Sequence, residues 1–190
     1  RNAVASWAQG IPFSRILLTG PAGPVVEPAA DTRVTLGQQC LIQASGFIAD
    51  YQRRRLSMRG SQIAKLFLGA DGDDRFEVDD PATGLVAVRP SRAPALAPGG
   101  DMADWVTLVR QTRPSAAECI SMWRDCERFM SECRPAIDAV AAELLVRGDE
   151  LDYSDASALA GGAMAGRSAP EVPAWARPAP APDAAKRPVG

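Results

Sequence analysis

Apolar positions recur at helical spacing over long stretches of this chain and cluster at strand density over short ones. In residues 37–54, Cys40, Leu41, Ala44, Phe47, Ile48 and Tyr51 repeat at three and four, which predicts an amphipathic helix. Its middle, Ala44-Ser45-Gly46, is small enough for another helix to approach closely. Residues 3–9 read as the end of a helix that Gly10 stops and Pro12 leaves. Arg15-Ile16-Leu17-Leu18-Thr19 is a short apolar run between turn formers, and so a strand. Gly20-Pro21-Ala22-Gly23-Pro24 reads as a turn. It is no phosphate loop, because no Lys-Ser/Thr pair follows and its prolines lack backbone N–H groups.

The second half is helical in pattern. From Asp101, the residues Trp105, Leu108 and Val109 share a face, and that helix closes before Pro114. Ser115-Ala116-Ala117-Glu118 is a capping box. It opens a helix carrying Cys119, Met122, Trp123, Cys126, Phe129, Met130 and Cys133. Pro135 either kinks that helix or sits in the first turn of the next. Ile137, Val140, Ala141, Leu144 and Leu145 carry the stripe on to Gly148, and Ser154 is the expected cap of a last short helix through Leu159. Residues 56–98 are irregular: Ile63 to Leu68 reads as a short helix, Phe76-Glu77-Val78 and Leu85-Val86-Ala87-Val88 as strands. Asp71-Gly72-Asp73-Asp74 lacks the ligand spacing and closing Glu of a calcium loop and reads as a solvated acidic turn. Pro90, Pro94 and Pro98 mark an extended linker. The fold class expected is α+β, mainly helical, with a small strand element near the N-terminus. The domain spans 1–160, with 56–98 as an irregular insert. Residues 161–190 are rich in Ala and Pro, have little to bury, and are expected to be a disordered tail. Trp175 within it marks either a docking segment or plain tail.

Composition narrows the classes. With 21 Lys+Arg against 23 Asp+Glu, bulk charge gives no reason to expect nucleic acid. Arg53-Arg54-Arg55 reads as a solvated helix end, where cations favour the dipole. No apolar run approaches the roughly 20 residues a membrane span needs, and the start lacks the shape of a signal peptide. Cys119, Cys126 and Cys133 are spaced by seven on one predicted helix. Successive thiols then lie about 10 Å apart along the axis at ~1.5 Å per residue. That separation is too far for one zinc, with its ~2.3 Å zinc–sulfur bonds, or for a disulfide. They are expected as small buried core residues in a reduced, cytoplasmic compartment.

Four pieces of the chain together carry a resemblance. Asn2-Ala3-Val4-Ala5-Ser6-Trp7-Ala8-Gln9-Gly10-Ile11-Pro12 is similar to the run that follows the zinc-binding motif of a metalloprotease. Ser45-Gly46-Phe47-Ile48-Ala49-Asp50 is similar to a later helix reading Ala-Gly-x-x-Ala-Glu. Gly100-Asp101-Met102-Ala103-Asp104-Trp105 matches by spacing the Gly-rich turn that supplies a third metal ligand. Leu144 to Leu151 looks like the Leu-Leu phrase that closes the domain. In this order and spacing, over about residues 2–160, the chain resembles the peptidase domain of FtsH-type ATP-dependent zinc metalloproteases, especially stand-alone relatives without the ATPase. Residues 56–98 have no counterpart there.

The resemblance implies a metallopeptidase-like helical domain acting on polypeptide, with zinc as cofactor of the complete family member. In the family's His-Glu-x-x-His helix, two imidazoles one turn apart bind zinc and the Glu takes a proton from the metal-bound water. A third ligand leaves one position open. Asp104 stands at that ligand position, or Asp101 if the turn slips by three; either Asp equally serves as a helix cap. The strand at 15–19 is then either a substrate-binding edge or an ordinary core strand. An oligomer is possible, and a hexamer is expected only with an ATPase ring attached upstream.

The chain departs from the family at one decisive place: it contains no histidine. Aligning Ala3-Val4 puts Asn2 where the second His belongs and Arg1 on the preceding Gly. Either the motif lies upstream of Arg1, or the zinc site is lost. As given, the chain has no catalytic residue of this type, and neither tight zinc binding nor peptide hydrolysis is expected of it. The alternative is a non-catalytic scaffold or protein-interaction module. In that case Trp105, Trp123, Met122 and Met130 either line a partner groove or are plain core. With no phosphate loop, a nucleotide-dependent enzyme is disfavoured.

Overall fold

In the computed structural model, which describes residues 1–20, 23–54, 58–68, 101–148 and 150–178, the chain opens on a short helix, α1 (Asn2–Ala8). Gly10, at φ 69°, ends it in a conformation a side chain would strain. The chain then enters β1 (Phe13–Gly20) and returns as β2 (Gly23–Pro28), antiparallel, with Ile16 opposite Val26. A third strand, β3 (Glu150–Asp152), pairs antiparallel with the other side of β1, with Leu151 opposite Ile16. The order β2-β1-β3 makes β1 the central strand. The stretch at 15–19 is therefore not an exposed edge, and the edge reading is corrected: β3 covers it. Arg15 ties all three strands, at 2.6 Å from Glu27 and 3.4 Å from Glu150.

Helix α2 (Leu36–Arg53) starts from Thr35, whose hydroxyl accepts from Gln38 N while the Gln38 side chain accepts from Thr35 N. It packs against α1, α4 (Asp101–Gln111) and α5 (Ala116–Glu132). The short helix expected at 63–68 is α3 (Gly60–Leu68). Its end is held by Arg110, which donates to Phe67 O at 2.6 Å and Leu66 O at 3.2 Å, a cation on terminal carbonyls. The Ser115–Glu118 capping box opens α5 as expected. Pro135 sits in the first turn of α6 (Arg134–Arg147), which ends at Gly148 with φ 99°. Helix α7 (Tyr153–Ala163) is capped by Asp152 rather than Ser154, because the Asp152 carboxylate accepts from Asp155 N at 2.8 Å.

The core is aromatic at its centre. Trp105 lies 4.6 Å from Phe67, 5.0 Å from Phe47 and 5.6 Å from Trp123, centroid to centroid. Such pairs are each worth about 0.5–1.5 kcal/mol beyond their burial. Trp105 and Trp123 are fully buried core; Met130 is buried as well but lines the cavity described below, and Met122 is part-exposed. Cys119, Cys126 and Cys133 are free and buried, as their spacing by seven predicts, and Cys40 is free and buried as well.

The C-terminal expectation needs correction over its described part. Helix α7 runs past Gly161 to Ala163, and residues 170–178 return to the domain around a 3-10 turn at Ala174–Ala176. Ala176 is buried, Trp175 Nε1 donates to Asp125 at 3.1 Å, and Glu171 N donates to Glu132 at 2.7 Å. Residues 161–178 are thus an ordered strap, not a disordered tail. The strands expected at 76–78 and 85–88, the acidic turn at 71–74 and the prolines at 90, 94 and 98 lie outside the described residues, as does 179–190. Among the described residues no helix is long and apolar enough to cross a membrane.

Candidate functional site

A cavity opens where α1 begins. It has a volume of about 610 Å³, within the ~300–1,000 Å³ typical of ligand pockets. One wall is sheet: Ile16 and Leu18 from β1, Val25 and Val26 from β2. The opposite wall is α6, through Ile137, Val140, Leu144 and Leu145. Gly46, Ala49, Gln52 and Arg53 of α2 line it too, as do Arg1, Asn2 and the ion pair of Arg134 with Asp138, 2.9 Å apart.

These walls come together through specific contacts. Arg1 Nη1 donates to Gly46 O at 2.9 Å, and its Nη2 lies 3.6 Å from Asp50 Oδ1. The hydroxyl of Ser45 shares its one proton between Ile42 O at 2.6 Å and Asn2 Oδ1 at 3.0 Å. Asp50 serves three guanidiniums, since Arg53 and Arg54 lie 3.0 Å and 2.8 Å from it besides Arg1. The hydrogen bond from Arg53, with the charges of all three, lowers the Asp50 pKa below the usual carboxylate value and overrides its partial desolvation. Gln52 is fixed by Glu127 O at 2.6 Å and Ser131 Oγ at 2.9 Å, which orients the end of α2 along α5.

Three of the four stretches that carried the resemblance meet here: the start of α1, the Ser45–Asp50 turn of α2, and Leu144 with β3 behind it. The fourth begins α4, where Asp101 is the first residue and Asp104 lies in the first turn. The side chains of Asp101 and Asp104 lie outside the described residues. Among the described residues no group of three or more His, Cys, Asp or Glu is placed to hold a metal ion. Asn2, which the resemblance would align with the second imidazole, accepts from Ser45 Oγ through its Oδ1.

Sequence reasoning missed the ion pairs that line this cavity. Arg53 and Arg54 were legible as a helix end, but nothing local joins them to Arg1 or Arg134. It missed β2 as well, although Val25-Val26 between prolines was a faint signal. A second, smaller cavity of about 380 Å³ lies beside the strap, between Leu36, Gly37, Cys40, Met122 and Trp175. Trp175 was the one residue of the Ala/Pro stretch able to announce that contact.

Compared with family models, curated proteins and solved structures, the chain finds no match.

Proposed function

We propose that this chain is a polypeptide-binding domain of the FtsH-type metallopeptidase class, with the cleft between β1–β2, α2 and α6 as its peptide site. The observation that supports this reading most is the convergence of the start of α1, Ser45–Asp50 and Leu144 on that one cleft. Peptide hydrolysis of this type needs two imidazoles and a Glu base, and these 190 residues contain no histidine. The polypeptide as it stands binds peptide without cutting it. Asp104, or Asp101 one turn earlier, keeps its proposed place as the family's third ligand for a zinc whose other ligands are not in this chain.

The experiment is a zinc titration and a protease assay on the purified chain, with the reading frame upstream of Arg1 determined in parallel. Weak or absent zinc and no cleavage agree with the proposal. Tight zinc binding at one per molecule, or zinc-dependent cleavage, overturns the inactive part of it. A frame encoding His-Glu-x-x-His just before Arg1 makes the complete protein a zinc metalloendopeptidase. A frame without it leaves a non-catalytic interaction module, a reading that the exposure of Leu145 (79%) and Val146 (82%) on α6 also favours.

A further inference from the structure

The charged side chains that line the cleft at the start of α1 are all engaged. Arg134 lies 2.9 Å from Asp138, and Arg1 and Arg53 lie 3.6 Å and 3.0 Å from Asp50. The walls are apolar, from Leu18, Val25 and Val26 on the sheet side and Ile137, Leu144 and Leu145 on α6. Two neutral amides, Asn2 and Gln52, complete the polar lining, and each is only half used. Asn2 Oδ1 accepts from Ser45 Oγ at 3.0 Å, which leaves Asn2 Nδ2 without a partner among the described residues. Gln52 Nε2 donates to Glu127 O at 2.6 Å and to Ser131 Oγ at 2.9 Å, which leaves Gln52 Oε1 without one. These bonds assign the orientation of both amides, so Asn2 offers a donor and Gln52 an acceptor.

We infer that the cleft takes an uncharged, apolar stretch of polypeptide and reads it through the main chain: a peptide carbonyl accepts from Asn2 Nδ2, a peptide N–H donates to Gln52 Oε1, and the apolar side chains lie between the sheet and α6. Every residue but proline carries one such donor and one such acceptor, so a peptide backbone answers both amides. A fatty acid brings a carboxylate that must break an existing ion pair, and it has no N–H for Gln52. A charged side chain seated between the apolar walls loses its hydration and finds no free partner. Charges flanking the seated stretch only compete with exposed ion pairs, which contribute little, so neither sign gains. The inference rests on the proposed reading of this cleft as a peptide site and adds the class of segment it takes and the atoms that read it.

The test is fluorescence anisotropy on the full chain with labelled peptides that share a Leu-Val centre. Flanks of Glu, Gln or Lys should bind within about twofold of one another, with little change between about 50 and 300 mM salt, because no charge pair forms on binding. Replacing the centre by Ser-Asn should weaken binding by about tenfold or more, as the apolar contact is lost. An ester in place of the Leu-Val amide removes the N–H and should cost roughly two- to tenfold, the worth of one hydrogen bond. That loss should vanish in Gln52→Met, which has no acceptor to strand. Asn2→Asp keeps an oxygen for Ser45 and puts an acceptor where the donor was. It should weaken the amide peptide by a similar factor, and it tests the reading even where Gln52→Met does not fold. A preference for one sign of flank, an ester loss that persists in folded Gln52→Met, or Asn2→Asp without effect overturns the inference while the peptide site stands. No binding of any peptide overturns both, and dodecanoate bound where no peptide binds identifies a small amphiphile as the occupant instead.

Discussion

Gly37, in the first turn of α2, lies directly against the backbone of Trp175. A Cβ at Gly37 would collide with the Trp175 carbonyl oxygen and come within 3.1 Å of Ala176 Cα. The strap can lie this close to α2 only because the helix has no side chain at that position. Gly37→Ala should therefore push the strap off, although Ala favours the helix itself. The loss expected is about 1–3 kcal/mol, the range for forced overpacking. Faster tryptic cleavage at Arg167 and a lower Tm would register it. Unchanged Tm and proteolysis would show that the strap adds nothing to the fold.

The four thiols give a pH prediction. Burial raises Cys40 and Cys119 to about 11 and Cys133 to about 12, with Glu118 and Glu132 adding to the last two, and it raises Cys126 well above its ordinary value. In the unfolded chain a thiol titrates near 9.0. The folded state holds its protons longer, so the stabilisation is complete below pH 9.0 and is lost as pH rises toward 11–12. Each thiol adds up to about 1.4 kcal/mol of loss per pH unit in that window. Tm should fall steeply between about pH 9 and 11, less so in Cys119→Ala. At pH 8 the native thiols should resist a thiol reagent that labels all four in denaturant. Rapid labelling of the native chain would contradict their burial.

Ser115 and Glu118 bind each other's backbone at the start of α5, at 3.3 Å and 2.7 Å. Ser115→Ala should cost about 1 kcal/mol. The Glu118 pKa is lowered by its bonds from the Ser115 backbone and hydroxyl. A lowered carboxylate stabilises above its unfolded pKa and loses that stabilisation as pH falls through the folded value. The Tm difference between wild type and Ser115→Ala should thus shrink in acid. A difference that is the same at pH 3 and pH 7 would contradict the charged role of Glu118.

Among the described residues the buried indole N–H of Trp105 finds no hydrogen-bond partner, whereas Trp123 Nε1 donates to Glu127 at 2.8 Å. Removing an unpaired donor relieves a desolvation cost, and removing a paired one strands its acceptor. Trp105→Phe should consequently cost less than Trp123→Phe in denaturant unfolding. The reverse order would mean that ring packing, not donor pairing, separates the two sites.

How legible these features were follows from their range. Helix α5 could be read because its signals are local: Ser115 and Glu118 three apart, then a stripe at three and four. Strand β3 could not, because three residues carry no period and Leu151 becomes strand only by finding Ile16. The strap defied its composition, since Ala and Pro bury little by themselves, but Trp175 and Ala176 meet a surface already formed by α2 and α5. The cleft was least legible of all. Arg1 and Gly46 are 45 positions apart, and no spacing rule brings Arg134 to the same mouth.

The proposal of an FtsH-type peptidase architecture is tested most directly by building in the metal site that the resemblance implies. Adding His-Glu-Ala ahead of Arg1, with Asn2→His, writes His-Glu-x-x-His across the start of α1. The account expects the folded variant to bind one zinc per chain, and Asp104→Ala or Asp101→Ala in that background to abolish it. A variant that folds and binds no zinc, or whose zinc survives both Asp changes, would contradict the architecture.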